Sequence, residues 1–163
     1  MKSNLSSTIL QLLNEQIAHE LYNSNLYKKI GSYLKNIGLD NIGNHFYDDQ
    51  TKEEHNHADK ITGFLVDRNE KVELLSIPEV NIEFTDIIQI SELYVAQEQL
   101  TTGYLTKIAS QSLIENDYIT FGFMQEMINY QRVEESESIT FRDKALMTQN
   151  DYKTVLIWDA NFK

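Results

Sequence analysis

Cysteine is absent from the 163 residues. That excludes disulfides, thiolate metal sites and a cysteine nucleophile, so any bound metal must be held by nitrogen and oxygen ligands. Proline occurs once, at Pro78, and glycine six times. Proline breaks helices and glycine weakens them, so few interruptions leave room for long helices on both sides of Pro78. Positive charge is scarce: 14 Lys and Arg stand against 25 Asp and Glu, a formal net charge of −11. Such a field draws cations and disfavours contact with phosphate backbones, so no nucleic-acid partner is expected. There is no run of about 18 apolar residues. The opening "MKSNLSSTILQLLNEQ" has neither the apolar segment nor the small-residue cleavage site of an export signal. The expectation is a soluble, cytoplasmic protein with no membrane span, folded as one domain over 1–163 with a bundle at about 5–144 and a tail at 145–163.

Apolar residues recur at helical spacing from Leu5 to Leu34 and again from Phe46 to Leu65, separated by the turn "NIGLDN" around Gly38. Two further helices are expected from about Asp86 to Leu113 and from about Asp117 to Lys144, divided by "ENDY". Both pairs read as antiparallel hairpins. Between them lies "EKVELLSIPEVNIEF", whose "VELL" could pair briefly as a strand or simply run extended. Helices of this length span roughly 40 to 45 Å, and fifteen extended residues reach about 50 Å, so the segment can return from one end of a bundle to the other. The fold expected is therefore all-α: a four-helix bundle with one long crossover between its second and third helices. In the tail, an apolar cluster from Val155 to Trp158 suggests a brief fifth element.

One stretch, "TKEEHNHADK" (51–60), poses the functional question. Residues seven apart differ by only about 20° around a helix. On that wheel Glu54 falls between Tyr47 and Ile61, and His57 falls between Gln50 and Phe64, so this Glu-x-x-His pair belongs to the apolar stripe. His55 points outward and Glu53, flanked by Phe46 and Lys60, lies on the edge. Glu20 lies between Leu13 and Tyr27, and Glu98 follows Val95 and precedes Leu105. Glu134 lies between Met127 and Phe141, with Gln131 one turn before it. Each helix thus turns an acidic group inward, and no lysine or arginine repeats with them. A buried carboxylate without a partner costs several kcal/mol. Either these glutamates sit near helix ends and reach solvent, or a pair of divalent cations holds them, bound by four Glu, one His and Gln131.

With these motifs the chain resembles the bacterial non-haem ferritins. "LNEQIAHELYNSNLY" (13–27) is similar to that family's first-helix signature, "EEHNH" (53–57) to its second-helix motif, "EQL" (98–100) to its third, and "DYITFGFMQ" (117–125) opens the fourth helix in the same register. The resemblance implies a ferroxidase centre: Glu20, Glu54 and His57 on one iron, Glu54, Glu98 and Glu134 on the other, Glu54 bridging. It also implies Gln131 beside the second iron and Tyr27 as an auxiliary residue of the catalytic centre. Two irons per subunit would be oxidised from Fe(II) by dioxygen or hydrogen peroxide and stored as ferric mineral inside a homo-oligomeric shell of twenty-four subunits. Haem is not expected, because the second helix lacks the methionine that bacterioferritins use and all four histidines precede residue 58.

Departures from the family pattern leave an alternative open, a shell subunit with weak or no ferroxidase activity. The family's third iron site would draw on Glu53 and on positions that here are Tyr130 and Val133. Glu126 either supplies a substitute carboxylate there or is solvated or hydrogen-bonded to Tyr130. The tail ends soon after "LIWD", which would widen the pore on the fourfold axis of such a shell.

Overall fold

The computed structural model describes residues 5–163; residues 1–4, part of the opening stretch read above for an export signal, lie outside the described residues. Helix α1 (Ser7–Asn36) begins where the Ser6 hydroxyl accepts the Ile9 N–H at 3.1 Å. It ends at Gly38, whose φ of +86° is a left-handed turn suited to glycine, with the Leu39 N–H closing back on the Leu34 carbonyl at 2.9 Å.

The second rod is continuous but not uniform: α2 (Asp40–Asn44), a π-helical turn (His45–Gln50), then α3 (Thr51–Asp67). The Thr51 N–H reaches back five residues to the Phe46 carbonyl, which inserts one extra residue into the turn. Thr51 Oγ1 also donates to that carbonyl at 2.8 Å, while Ser24 Oγ on α1 donates to the Thr51 carbonyl at 2.9 Å, so the widened turn is pinned to its neighbour. Gly31 permits the approach, since a Cβ there would lie 2.4 Å from the Tyr47 backbone nitrogen. The extra residue corrects the wheel reading. Counting back seven from Glu54 leads to Tyr47, yet Phe46 is the fully buried residue and Tyr47 only half-buried, because a strict 3.6-residue period does not survive the π turn.

After a turn at Arg68 and Asn69 the connection over 70–86 runs extended and, among the described residues, contains no strand. It runs along α1. The Asn14 side chain accepts the Glu73 N–H at 2.7 Å and donates to the Lys71 carbonyl at 3.3 Å. Further on, Lys29 Nζ donates to the Val80 carbonyl at 3.0 Å and the Tyr33 hydroxyl to the Thr85 carbonyl at 3.2 Å. The chain is thereby delivered to the far end of the bundle, where Asp86 caps α4 (Ile87–Ile114) by accepting the Gln89 N–H at 2.9 Å. Asp117 caps α5 (Tyr118–Thr148) in the same way. The second and third rods therefore run parallel, the single-crossover arrangement of ferritin-like bundles.

The tail forms a full helix, α6 (Tyr152–Ala160), longer than its apolar cluster because Asp151 caps it at the Thr154 N–H, 2.9 Å away. Asp159 in turn accepts the Ile42 N–H at 2.8 Å, satisfying a donor that the first turn of α2 leaves open. No helix of the described residues is long and apolar enough to cross a membrane.

The interior has two apolar halves. One gathers Leu26, Tyr27, Ile30, Phe46, Tyr94 and Phe141; the other gathers Ile9, Leu13, Ile61, Leu105, Met124 and Met127. Every rod crosses from one half to the other through a polar step at the same height, and those steps together make the site.

Gly31→Ala is expected to lower stability by about 1–3 kcal/mol, the usual cost of forcing extra volume into a packed contact. The check is a lower midpoint of thermal unfolding in metal-free buffer; an unchanged midpoint would show that the π turn does not depend on this contact.

Candidate metal centre

Five ionisable side chains meet in the polar layer. Glu20 comes from α1, Glu54 and His57 from α3, Glu98 from α4 and Glu134 from α5, and none is more than 6% exposed. They form two groups that share Glu54. Ligand atoms of Glu20, Glu54 and His57 lie within 4.8 Å of one another, as do those of Glu54, Glu98 and Glu134.

Glu20, Glu54 and Glu134 are each tied at one oxygen and Glu98 at both. Gln16 Nε2 donates to Glu20 Oε1 at 2.8 Å, Asn23 Nδ2 to Glu54 Oε2 at 3.2 Å, and Gln131 Nε2 to Glu98 Oε2 at 2.6 Å. The Tyr27 hydroxyl donates to Glu98 Oε1. His57 Nε2 stands 3.2 Å from Glu134 Oε1. The remaining oxygens, Glu20 Oε2, Glu54 Oε1 and Glu134 Oε2, are buried and have no hydrogen-bond partner. Buried acceptors of this kind are costly and rare. Three of them in one cluster, drawn from residues that already touch, fit hard divalent cations taking oxygen ligands and one imidazole.

The electrostatics agree. Burial raises the carboxyl groups, with mutual repulsion adding to it: Glu98 is pushed up to about 7 and Glu134 to about 9. Glu54, which both groups share, is raised well above the carboxylate range by burial and then by the charges of Glu20 and Glu98. Burial, helped by the nearby Lys60 ammonium, lowers His57 to about 4. The raised carboxyl groups hold protons more strongly than ordinary carboxylates do, and at neutral pH Glu134 is protonated and His57 neutral, so their contact joins two neutral groups rather than an ion pair. Cations would displace those protons.

Other residues singled out in the sequence lie outside the two groups. Glu53 is at the edge, accepting from Gln50 Nε2 at 3.1 Å and raised by partial burial and then by Glu137 and Asp49. Glu126 is exposed and accepts the Tyr130 hydroxyl at 3.3 Å. Tyr130 and Val133 are 42% and 45% exposed and, with Lys60, Glu53 and Glu137, line a cleft of about 680 Å³ that also reaches His57 and Glu134. Lys60 Nζ sits 3.6 Å above the Tyr130 ring.

His19 and His45 are partly enclosed, and burial lowers both. His45 packs against Phe46 and Phe162, with ring centroids 5.1 and 5.3 Å away. Gln16 and Asn23 escaped the sequence reading altogether. Their signal was available: they lie four residues before and three after Glu20, on its face of α1.

A bundle with one crossover and a carboxylate–histidine cluster at mid-height defines a protein of the ferritin-like class. Residues 10–145 match the ferritin family, described as a ferritin-like domain, and the chain belongs to that family. Its relatives include the bacterial non-heme ferritin of Staphylococcus haemolyticus, 30% identical over 155 residues, which are 95% of this chain and 93% of that protein. The bacterial non-heme ferritin of Campylobacter jejuni is 31% identical over 132 residues, 81% of this chain and 78% of that one. Among solved structures, the open-pore ferritin of the archaeon Archaeoglobus fulgidus superposes with a TM-score of 0.93 at 26% identity, covering 99% of this chain and 98% of that one.

The raised carboxyl groups set a pH dependence for the metal-free protein. A folded pKa above the unfolded value near 4.5 favours folding fully below that value and loses the benefit as pH rises through the folded pKa, here about 7 for Glu98 and about 9 for Glu134. Thermal unfolding in chelator is thus expected at a higher midpoint at pH 5.5 than at pH 9, with the difference reduced in Glu134→Gln. A midpoint that climbs toward pH 9 would contradict the buried cluster.

Proposed function

We propose that this chain stores iron and oxidises Fe(II) at a di-iron ferroxidase centre within each subunit. The observation that carries the reading is the pair of ligand groups sharing Glu54, with an unpartnered buried oxygen on Glu20, on Glu54 and on Glu134. In this reading Glu20, Glu54 and His57 receive one Fe(II) and Glu54, Glu98 and Glu134 the other, with Gln131 orienting Glu98. Carboxylates favour the higher charge, so they lower the ferric/ferrous potential. Two ferrous ions supply two electrons, and dioxygen or hydrogen peroxide takes them up together with protons. Tyr27, whose hydroxyl burial raises well above its ordinary value, stays protonated and holds Glu98 through its hydrogen bond.

The chain acts as a single domain, and its copies assemble as a hollow shell, twenty-four subunits by analogy with the family, in the cytoplasm. Ferric product grows there as hydrated oxide. The wall of the 680 Å³ cleft favours a second reading, a shell subunit with weak catalysis, because Tyr130 and Val133 stand where the family's further carboxylates would assist iron and the Lys60 ammonium lies over Tyr130.

Stopped-flow oxidation separates the two. Anaerobic Fe(II) at two per subunit, then air, is expected to be oxidised well above the buffer rate, with Glu54→Ala and His57→Ala slower by at least about tenfold. Equal rates in wild type, variants and buffer would leave only the shell. Size-exclusion chromatography tests assembly: a species that stays monomeric or dimeric cannot enclose a mineral.

A further inference from the structure

The seam between α1 and α4 carries a polar network that none of the proposed metal ligands requires. Asn23 is fully buried there. One of its amide hydrogens goes to Glu54 Oε2 at 3.2 Å and the other to Thr101 Oγ1 at 3.1 Å, while its Oδ1 accepts Gln97 Nε2 at 2.6 Å. Thr101 Oγ1 donates to the Gln97 carbonyl at 3.1 Å and contacts His19 Nε2 at 2.7 Å. Thr101 Oγ1 keeps a lone pair for the Asn23 amide, and His19 Nε2 lies a further 3.4 Å from Asn23 Nδ2, closing the seam on its outer side. Gln97 fixes the Asn23 oxygen away from the centre and the Asn23 amino group faces Glu54, which can only accept once it is the carboxylate that a cation requires.

We propose that Asn23 is a positioning residue for the bridging carboxylate: held by Gln97 and Thr101, it fixes the plane of Glu54 through Oε2 and aims the unpartnered Oε1 between the two ligand groups. The proposal rests on the di-metal reading above and adds to it the residue that sets the bridge. Among the amide and hydroxyl donors of the described residues Asn23 alone reaches Glu54, whereas Glu98 has two. Without Asn23 the bridging carboxylate would be free to rotate about its terminal torsion, which has broad minima. Leucine matches asparagine in size but donates nothing, so Asn23→Leu removes the bond and keeps the filling.

The test uses Co(II) added anaerobically to the assembled, metal-free protein, following affinity by calorimetry and ligand geometry by visible absorption. Wild type is expected to take two Co(II) per chain. Asn23→Leu is expected to bind about 10- to 100-fold more weakly, the usual effect of removing an outer hydrogen bond to a ligand, with a changed Co(II) absorption band. Gln97→Leu, which leaves Asn23 and all ligands in place, should show a smaller loss of the same kind. The double variant should match Asn23→Leu alone, since Gln97 acts through Asn23. Wild-type affinity and spectrum in Asn23→Leu, or losses that simply add in the double variant, would overturn the proposal. Should Asn23→Leu not assemble, Gln97→Leu decides alone, and wild-type behaviour in it is the overturning result. Absence of Co(II) binding in the wild type would instead overturn the di-metal reading on which this depends.

Discussion

Carboxylates without cationic partners in the middle of an apolar bundle are the constraint on which the rest of this structure depends. Burial alone disfavours the charged form of each, and four together repel. The described interior brings no lysine or arginine into contact with them, so relief can come only from protons or from bound cations. The surrounding architecture makes sense as a device that tolerates this penalty. Apolar packing is divided into two clusters, one on each side, and the polar layer is confined to one height at which all four rods contribute. Tyr94, Phe46 and Phe141 close one side with edge-on ring contacts at 5.1 to 5.8 Å, holding α4, the π turn and α5 together just where the ligands diverge.

The π turn has the same logic. A regular helix through 42–54 would drift, since Ile42, Phe46, Gln50 and Glu54 are spaced by four, and four residues overshoot a 3.6-residue turn each time. All four are nonetheless buried. The extra residue absorbs the drift, and Glu54 arrives on the inner face directly after it, with His57 one turn on. A local departure from regular geometry next to a candidate site fits the general association of such bulges with function.

Much of this could be read from residue order. Scarcity of proline and glycine, the two apolar-periodic hairpins and the length of the crossover lead to the single-crossover bundle, and the inward register of Glu20, Glu54, His57, Glu98 and Glu134 follows from seven-residue neighbours. What could not be read has identifiable causes. Tyr47 was placed inward because a wheel assumes one period throughout, and nothing in "HFYDDQ" announces a π turn. That turn depends on tertiary contacts, the Ser24–Thr51 bonds and the close approach at Gly31. The enclosure of His19 and His45 could not be read because an isolated polar residue gives no periodic signal; it comes from Thr101 and Tyr104 for one and from Phe162, just past α6, for the other. Amides are the hardest to read. Gln16 and Asn23 lie on the right face, but an asparagine in a helix is usually solvated, and only the partner rod reveals what it holds.

The two sides of the cluster differ in a way that bears on how it could work. Toward α1 and α4, Glu20, Glu54 and Glu98 are each tied by a buried amide, which limits rotation and keeps one oxygen in a set direction. Toward α3 and α5, Glu134 is held only by His57, and both line the open cleft beneath Lys60 and Tyr130. Fixed ligands supply a defined geometry, but a centre that must release its product also needs a ligand that can swing. In the proposed ferroxidase, Glu134 is the carboxylate whose surroundings permit that movement, and the cleft is the direction in which it opens. The Lys60 ammonium at that opening repels an incoming Fe(II) ion and helps keep His57 neutral, and so able to ligate, down to about pH 4. Fixed wall and movable ligand thus follow from the same scarcity of basic partners inside, which leaves each carboxylate to be held by whatever neutral donor its own or a facing helix brings within reach.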